Sequence, residues 1–179
     1  MTPQELDAVT FLTAQHRDME DLLSQVADAE DDARRKTLFM QVADQLTVHI
    51  KSEEEIFYPA VHRARTEDDL LESLEEHLSL KRLLADLIEL EPSEKSFEAK
   101  FKVLKEQTEH HHKEEEEHLF PAVLKLLDQA QRIALGDEMR VRQASLTRLG
   151  EPREAVADET DAAAPLPPQR GDSISAGAR

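Results

Sequence analysis

Two stretches of the chain repeat one pattern of histidine, glutamate and proline. HIKSEEEIFYPAV begins at His49 and HHKEEEEHLFPAV begins at His111, 62 positions later, and eight of the thirteen positions are identical. In each stretch a glutamate follows the histidine by four residues, as Glu53 follows His49 and Glu115 follows His111. Residues four apart lie on the same face of a helix. Each stretch therefore presents an imidazole and a carboxylate in one direction, which is a donor set that metal ions use.

A weaker repeat precedes these two motifs. His16 and His77 are 61 positions apart, and a pair of leucines follows each of them at the same distance. We therefore predict two helical hairpins related by a pseudo-twofold axis, with a central site that draws equivalent residues from both halves. The side chains that fall on apolar helix faces are His16, His49, Glu53, His77, His111 and Glu115.

Two carboxylates in an apolar core need compensation. A buried carboxylate is costly unless it is paired or bound to a metal. Four imidazoles and two carboxylates match two cations, with two histidines on each and the carboxylates bridging. The chain has no cysteine, so the donors are nitrogen and oxygen only, which suits iron, manganese or zinc. A single core histidine needs no metal, and the prediction rests on the duplicated motif.

Neighbouring residues are candidates for supporting this site. His112 and Glu116 have the same four-residue spacing, but the alignment of the two prolines favours His111 with Glu115, and His112 is then expected to point away. Lys81 follows His77 by four residues, and Glu20 at the pseudo-equivalent place could face it across the core. His118 is expected in or near the core. The candidates for a surrounding shell are Lys81, Glu20, His118, Glu54, Glu116 and Tyr58.

Helical spacing of apolar residues extends over most of the chain. It predicts an all-α, up-down-up-down four-helix bundle over residues 1–135, with Pro59 and Pro121 kinking or ending two helices. Thr2, Pro3 and Glu5 form a predicted cap of the first helix. Asp137 is expected to start a short C-terminal helix over residues 136–150. Residues 151–179 have almost nothing large to bury, so we predict a disordered tail that can be removed without effect.

Composition restricts the partners. The net charge is −17, which repels the phosphate backbone of nucleic acids and anionic membrane surfaces. No apolar run is long enough to span a membrane, and the N-terminal residues lack the basic segment of a signal peptide. These features predict a cytoplasmic protein with neither a nucleic-acid nor a membrane partner, and they leave the oligomeric state open.

The motifs together resemble the hemerythrin-like family, also called the HHE cation-binding domain. The resemblance covers about residues 5–127 and implies a four-helix bundle with a non-haem di-iron centre. Manganese and zinc remain the alternatives to iron. By this resemblance, one iron takes His16 and His49 and the other takes His77 and His111, while Glu53 and Glu115 bridge them with an oxo or hydroxo group. Members bind or sense oxygen, handle peroxide or nitric oxide, or sense iron.

This chain departs from the oxygen-carrying hemerythrins in two places. Lys81 stands where their third helix has a second histidine, and the step from His111 to Glu115 is shorter than in their last motif. The centre thus resembles one with more open coordination positions, which argues against simple oxygen transport. We expect a protein that binds or reacts with O2, peroxide or NO, for sensing or detoxification. The alternative is an iron-sensing or iron-storing module without turnover, and whether the protein is an enzyme is left open.

Overall fold

The protein is described by a computed structural model that covers residues 6–168. Within this range the chain forms helices and no strand, in the order α1 Ala8–Asp28, α2 Asp32–Ser52, α3 Tyr58–Ala60, α4 Glu67–Ile88, α5 Lys95–Glu114, α6 Phe120–Leu126 and α7 Gln129–Arg148. The 3₁₀ turn His62–Ala64 follows α3, and the 3₁₀ turn Pro152–Glu159 follows α7. No helix in this part of the chain is both long and apolar enough to cross a membrane.

Four long helical arms form the bundle, and they are α1, α2 with α3, α4, and α5 with α6. The first arm, α1, packs against α2 and α5, and α4 packs against α2 and α5 in turn. Short connections between consecutive arms make neighbours antiparallel, so the predicted up-down-up-down architecture is confirmed. Asp7 caps α1 by accepting a hydrogen bond from the Thr10 N–H, whereas the cap predicted at residues 2–5 lies outside the described residues.

A π-helical turn precedes each of the two repeated prolines. Glu53–Phe57 links α2 to α3, and Glu115–Leu119 links α5 to α6. A proline within a helix lacks the N–H donor, and its ring clashes with the carbonyl group four residues earlier. Widening the helix by one residue relieves this clash and keeps the arm continuous. The helix therefore continues past Pro121 to Leu126, whereas the helix that contains Pro59 ends one residue after it, at Ala60, as the sequence predicted.

Two apolar clusters occupy the two ends of the bundle. One contains Phe39, Phe97 and Phe101, and the other contains Phe57 and Phe120. The buried histidines and glutamates lie between the levels of these clusters along each arm, so packed side chains border the polar layer on both sides. Burial of this apolar surface supplies most of the stability that holds the polar layer in place.

The helix after the bundle is longer than the sequence indicated. We expected a helix through Gly136 and then a short one capped by Asp137, but Asp128 caps α7 in a capping box with Gln131. Gly136 lies inside α7, where a Cβ atom would come within 2.8 Å of the Leu6 carbonyl oxygen. Gly136 therefore does not end a helix. It lies in mid-helix because α7 packs so closely on the start of α1 that a side chain would not fit there.

The expectation of disorder from Glu151 is wrong for residues 151–168. The turn Pro152–Glu159 packs against α2 and α4 and buries Val156 in the core. Arg153 binds Asp44, and Arg82 donates hydrogen bonds to the carbonyls of Thr160 and Asp161. One buried valine and several polar anchors are enough to order a segment that is otherwise rich in small residues. Residues 169–179 lie outside the described range.

Candidate metal centre

Six side chains from four different arms converge at the middle of the bundle. They are called the metal centre below and are His16, His49, Glu53, His77, His111 and Glu115. None of them is more than 3% exposed. Their ligand atoms form groups in which all members lie within 4.8 Å of one another, for example Glu53 with His77 and His111. The structure thus brings together every residue that the sequence indicated as a ligand.

Each carboxylate contacts an imidazole from both halves of the repeat. The Oε1 of Glu53 lies 3.1 Å from the Nε2 of His49, and its Oε2 lies 3.3 Å from the Nε2 of His77. The Oε1 of Glu115 lies 3.2 Å from the Nε2 of His111 and 3.7 Å from the Nε2 of His16. Two ligand atoms that bind one cation at right angles are about 3.0 Å apart. These separations fit carboxylates placed between two cations.

All four histidines turn the same ring atom outward. In each, Nδ1 lies within hydrogen-bond distance of an oxygen outside the metal centre, which fixes the ring and leaves Nε2 facing inward. The pairs are His16 with Glu116 (2.8 Å), His49 with Gln15 (3.0 Å), His77 with Glu54 (3.2 Å) and His111 with Glu76 (2.6 Å). This is the arrangement that orients imidazoles as metal ligands.

One inward contact requires a positive charge, either a proton or a metal ion. The Nε2 atoms of His77 and His111 are 2.9 Å apart. Since both Nδ1–H groups donate outward to carboxylates, both Nε2 atoms carry lone pairs that repel unless a proton or a metal ion lies at them. Burial lowers the pKa of His111, but the Glu115 carboxylate and the hydrogen bonds to Glu115 and Glu76 outweigh it and raise that pKa to about 10. The site therefore attracts positive charge.

The remaining inward atoms of the metal centre also lack hydrogen-bond partners. The Nε2 atoms of His16 and His49, both oxygens of Glu53 and the Oε1 of Glu115 are buried and make no well-aligned hydrogen bond within residues 6–168. Burial, and then the charge of Glu53, raise the pKa of Glu115, so the two carboxylates resist being ionised together. Unpartnered buried oxygens and nitrogens of this kind fit bound cations.

The pseudo-twofold relation extends to the groups around the metal centre. Glu54 and Glu116, 62 positions apart, hold His77 and His16, respectively. Gln15 holds His49, and Glu76, 61 positions later, holds His111. The prediction that Glu54 and Glu116 lie next to the ligands agrees with their positions. Sequence reasoning missed the roles of Gln15 and Glu76, although their alignment in the weaker repeat contained the signal.

Tyr58 lies closer to the centre than packing at the kink would require. Its hydroxyl is 3.3 Å from the Nε2 of His77, 3.4 Å from the Nε2 of His111 and 3.5 Å from the Oε2 of Glu115. Burial and then the nearby carboxylates raise its pKa well above the usual value, so the hydroxyl remains a hydrogen-bond donor. Phe120 occupies the equivalent place in the other half and stacks near His16. The two halves therefore differ chemically.

Lys81 is buried, but its ammonium group points away from the inward nitrogen atoms. It lies 2.7 Å from Glu54 and 3.0 Å from Glu159. The expected partner, Glu20, instead pairs with Arg17 and comes within 3.7 Å of His112. The pairing of Lys81 with Glu20 is thus wrong, because Glu54 on the neighbouring arm and the C-terminal segment reach the lysine first.

His118 lies outside the core, contrary to expectation. Its side chain is 52% exposed and is 3.7 Å from Glu114. Counting seven residues from His111 assumes a regular α-helix, whereas the π-helical turn Glu115–Leu119 contains one additional residue. The core position therefore passes to Leu119, which is buried.

His112 is buried, although the sequence suggested that it points away. Its ring stacks on His16, with centroids 3.8 Å apart and planes 7° from parallel. A cation bound by an imidazole lies near the plane of the ring, so one ion cannot serve both stacked rings in this arrangement. His112 therefore packs against the His16 side of the centre. The offset of 62 aligns it with Ile50, a core residue, and this alignment could have revealed its burial.

Comparisons with known proteins agree with this geometry. The sequence pattern of the family described as Hemerythrin HHE cation binding domain matches residues 7–123. A crystal structure of a hemerythrin HHE cation-binding domain-containing protein from Mycobacterium kansasii has a TM-score of 0.73 and 24% identity, covering 86% of this chain and 98% of that one. This likeness shows the fold. A DNA nickase of Nostoc sp. is 26% identical over 148 residues, which are 82% of this chain but 42% of that relative.

Proposed function

Since the chain belongs to the hemerythrin HHE cation-binding domain family, we propose that its metal centre holds two iron ions and that the protein binds or reacts with O2, peroxide or nitric oxide. The single observation that carries the proposal is the group of buried ligand atoms at the centre, the Nε2 atoms of His16 and His49 and both oxygens of Glu53, which make no well-aligned hydrogen bond among residues 6–168. Cations bound at these atoms would supply the missing partners, and the outward Nδ1 contacts of the histidines hold the rings in the orientation that such binding needs.

The two ions would have similar but unequal surroundings. His16 and His49 would hold one ion, His77 and His111 the other, with Glu53 and Glu115 shared between them. The contacts of each carboxylate with imidazoles of both halves support this assignment. Imidazole and carboxylate donors without thiolate suit iron, with manganese and zinc as alternatives.

Bound iron would supply one-electron chemistry with oxygen, peroxide or nitric oxide. The chain's own residues exclude bulk water, because the metal centre is buried between two apolar clusters. Tyr58 is the phenol in contact with the His77 side and can donate a hydrogen bond to Glu115. A cavity of about 70 Å³ between α4 and α5 is lined by Glu115 and also by Arg65 and Glu114. It has room for a few water-sized molecules, which favours a small reactant.

Reaction is favoured over reversible oxygen carriage. Lys81 supplies no third imidazole beside His77, and its ammonium is turned to Glu54 and Glu159. The ion at His77 and His111 would then keep positions open to water or peroxide.

Metal analysis, a visible spectrum and a peroxide assay test this proposal. We expect two iron ions per chain, a charge-transfer colour in the ferric state and oxygen evolution or peroxide loss on mixing. The matched control is the Glu115→Ala chain, which should lose the colour. Iron without any reaction would favour the iron-sensing or iron-storing alternative. A colourless protein with one zinc per chain would contradict the proposal.

Nicking of DNA is not proposed for this chain. The matched residues span less than half of the Nostoc relative, so the activity in that protein's name is not carried over to this chain. A net charge of −17 also opposes approach to a phosphate backbone.

A further inference from the structure

A continuous series of polar contacts links the C-terminal segment to the metal centre. Glu159, the last residue of the turn Pro152–Glu159, places its Oε2 3.0 Å from the Nζ of Lys81. The same Nζ lies 2.7 Å from the Oε2 of Glu54. The Oε1 of Glu54 lies 3.2 Å from the Nδ1 of His77. Three side chains thus connect residue 159 with an imidazole of the centre.

The charges in this series depend on one another. Lys81 is 5% exposed and Glu54 is 7% exposed, and a buried ammonium is costly unless it is paired. Each oxygen of the Glu54 and Glu159 carboxylates has one partner. The contacts with His77 and Lys81 use three of these oxygens, and the fourth, the Oε1 of Glu159, accepts a hydrogen bond from Lys51. If Glu159 loses its charge, Glu54 alone must compensate Lys81. The Glu54 carboxylate is then drawn towards the ammonium and away from the imidazole.

The segment holds Glu159 at a defined place. Val156 is buried among the core side chains three residues earlier, and Arg153 donates hydrogen bonds to Asp44 from its backbone and its guanidinium. After the turn, Arg82 binds the carbonyl oxygen of Thr160. Contacts on both sides of Glu159 therefore fix its position over Lys81.

We infer that Glu159 is a positioning residue of the metal centre, which orients His77 through Lys81 and Glu54. The inference rests on the proposed function, since it takes His77 as a ligand. The bond between Glu54 and His77 is the longest of the four outer imidazole contacts, so it is the one most easily lengthened. His16, the equivalent histidine, is held by Glu116, which pairs with Arg17 on α1. The contacts of Glu159 thus lead to His77 and not to His16.

Chelator competition on the full chain loaded with ferrous iron without oxygen tests the inference. In Glu159→Gln, we expect one of the two ions to bind about threefold to tenfold more weakly and the other to be unchanged, since loss of an outer contact costs about tenfold to a hundredfold when it is direct. Glu159→Asp should restore part of the loss. Asp158→Asn removes the same charge one residue earlier, at an exposed position, and should match the wild type.

A double variant tests whether Glu159 affects metal affinity through Glu54 or by a general change in the charge or stability of the protein. Glu54→Gln should weaken the same ion by about tenfold to a hundredfold, and adding Glu159→Gln should change little more, because both act through one contact. A Glu159→Gln chain with wild-type affinities, or one in which both ions weaken equally, would overturn the inference while the proposed function stands. A wild-type chain that takes up no iron would overturn the proposed function itself.

Discussion

At the scale of single residues, the two central carboxylates differ in kind from the histidines. Glu53 and Glu115 each contact imidazoles of both halves, whereas each of the four histidines of the metal centre has one inward nitrogen and one outward partner. Burial, and then the charge of Glu53, raise the pKa of Glu115, so a chain without cations must tolerate two opposed carboxylates. The carboxylates should therefore govern both ions, and each histidine only one.

We expect Glu53→Ala and Glu115→Ala to lose both ions, while His16→Ala weakens one ion first. A shared ligand supports two positions at once, and an imidazole supports a single position. The measurement is the iron-to-protein ratio after gel filtration. Glu117→Ala is the matched control, because Glu117 belongs to the same acidic run and is exposed. Equal iron content in His16→Ala and Glu53→Ala would contradict the shared-ligand assignment.

Lys81 should contribute to stability through its buried ion pairs. Lys81→Met leaves the buried Glu54 carboxylate without its cation, and breaking such a pair costs about 3 kcal/mol. Urea unfolding measures the loss. Lys100→Met removes an exposed pair with Asp86 and should change the free energy of unfolding by about 0.5 kcal/mol or less. Equal stability of the two variants would show that the Lys81 pairing contributes little.

At the scale of elements, the segment after α7 is part of the folded unit. Gly150 has a φ of 132°, a conformation that side chains disfavour, and it turns the chain back towards α2 and α4. The following turn then buries Val156 and supplies Glu159. The segment thus covers the α2 and α4 side of the bundle, next to Lys81.

Truncation after Gly150 should destabilise the protein, contrary to the expectation from sequence. Losing the burial of Val156 alone costs about 2 kcal/mol, and Lys81 loses one of its two carboxylates. Truncation after Pro168 keeps every described contact and serves as the control. Thermal unfolding of the two truncated chains measures the difference. Identical melting temperatures would show that residues 151–168 do not stabilise the fold.

At the scale of the whole molecule, the metal centre opposes folding unless cations occupy it. Two carboxylates and four imidazoles replace apolar side chains in the middle of the bundle, between the two apolar clusters. Burying such groups uncompensated costs free energy, and metal binding returns it. Stability and metal content should therefore change together.

Removal of metal by a chelator should lower the melting temperature. A cation that binds only the folded chain stabilises it by about 2.7 kcal/mol when its concentration is a hundred times its dissociation constant. Unfolding curves with and without chelator give the difference. The Glu53→Ala chain should respond little, since it holds no ion to lose. A wild-type chain that melts at one temperature in both conditions would contradict the coupling.

The sequence by itself determined the bundle and the residues that meet at its centre. Apolar residues at helical spacing fix which face of each arm is buried, and His49 with Glu53 shares that face by simple four-residue spacing. The repeat then relates His16 to His77 and so places equivalent groups around one axis. That these groups bind iron stays a prediction, because geometry alone does not identify a metal.

Only the tertiary structure decided the surroundings of the centre. The π-helical turn puts His118 outside, because a widened turn adds one residue and shifts every later count. Lys81 pairs with Glu159, 78 positions later in the chain. Val156 is buried in the core, although the segment that contains it has few other apolar side chains. Such contacts depend on where distant backbone segments cross. Local composition and periodicity do not indicate where distant segments cross, so these contacts could not be predicted from the sequence.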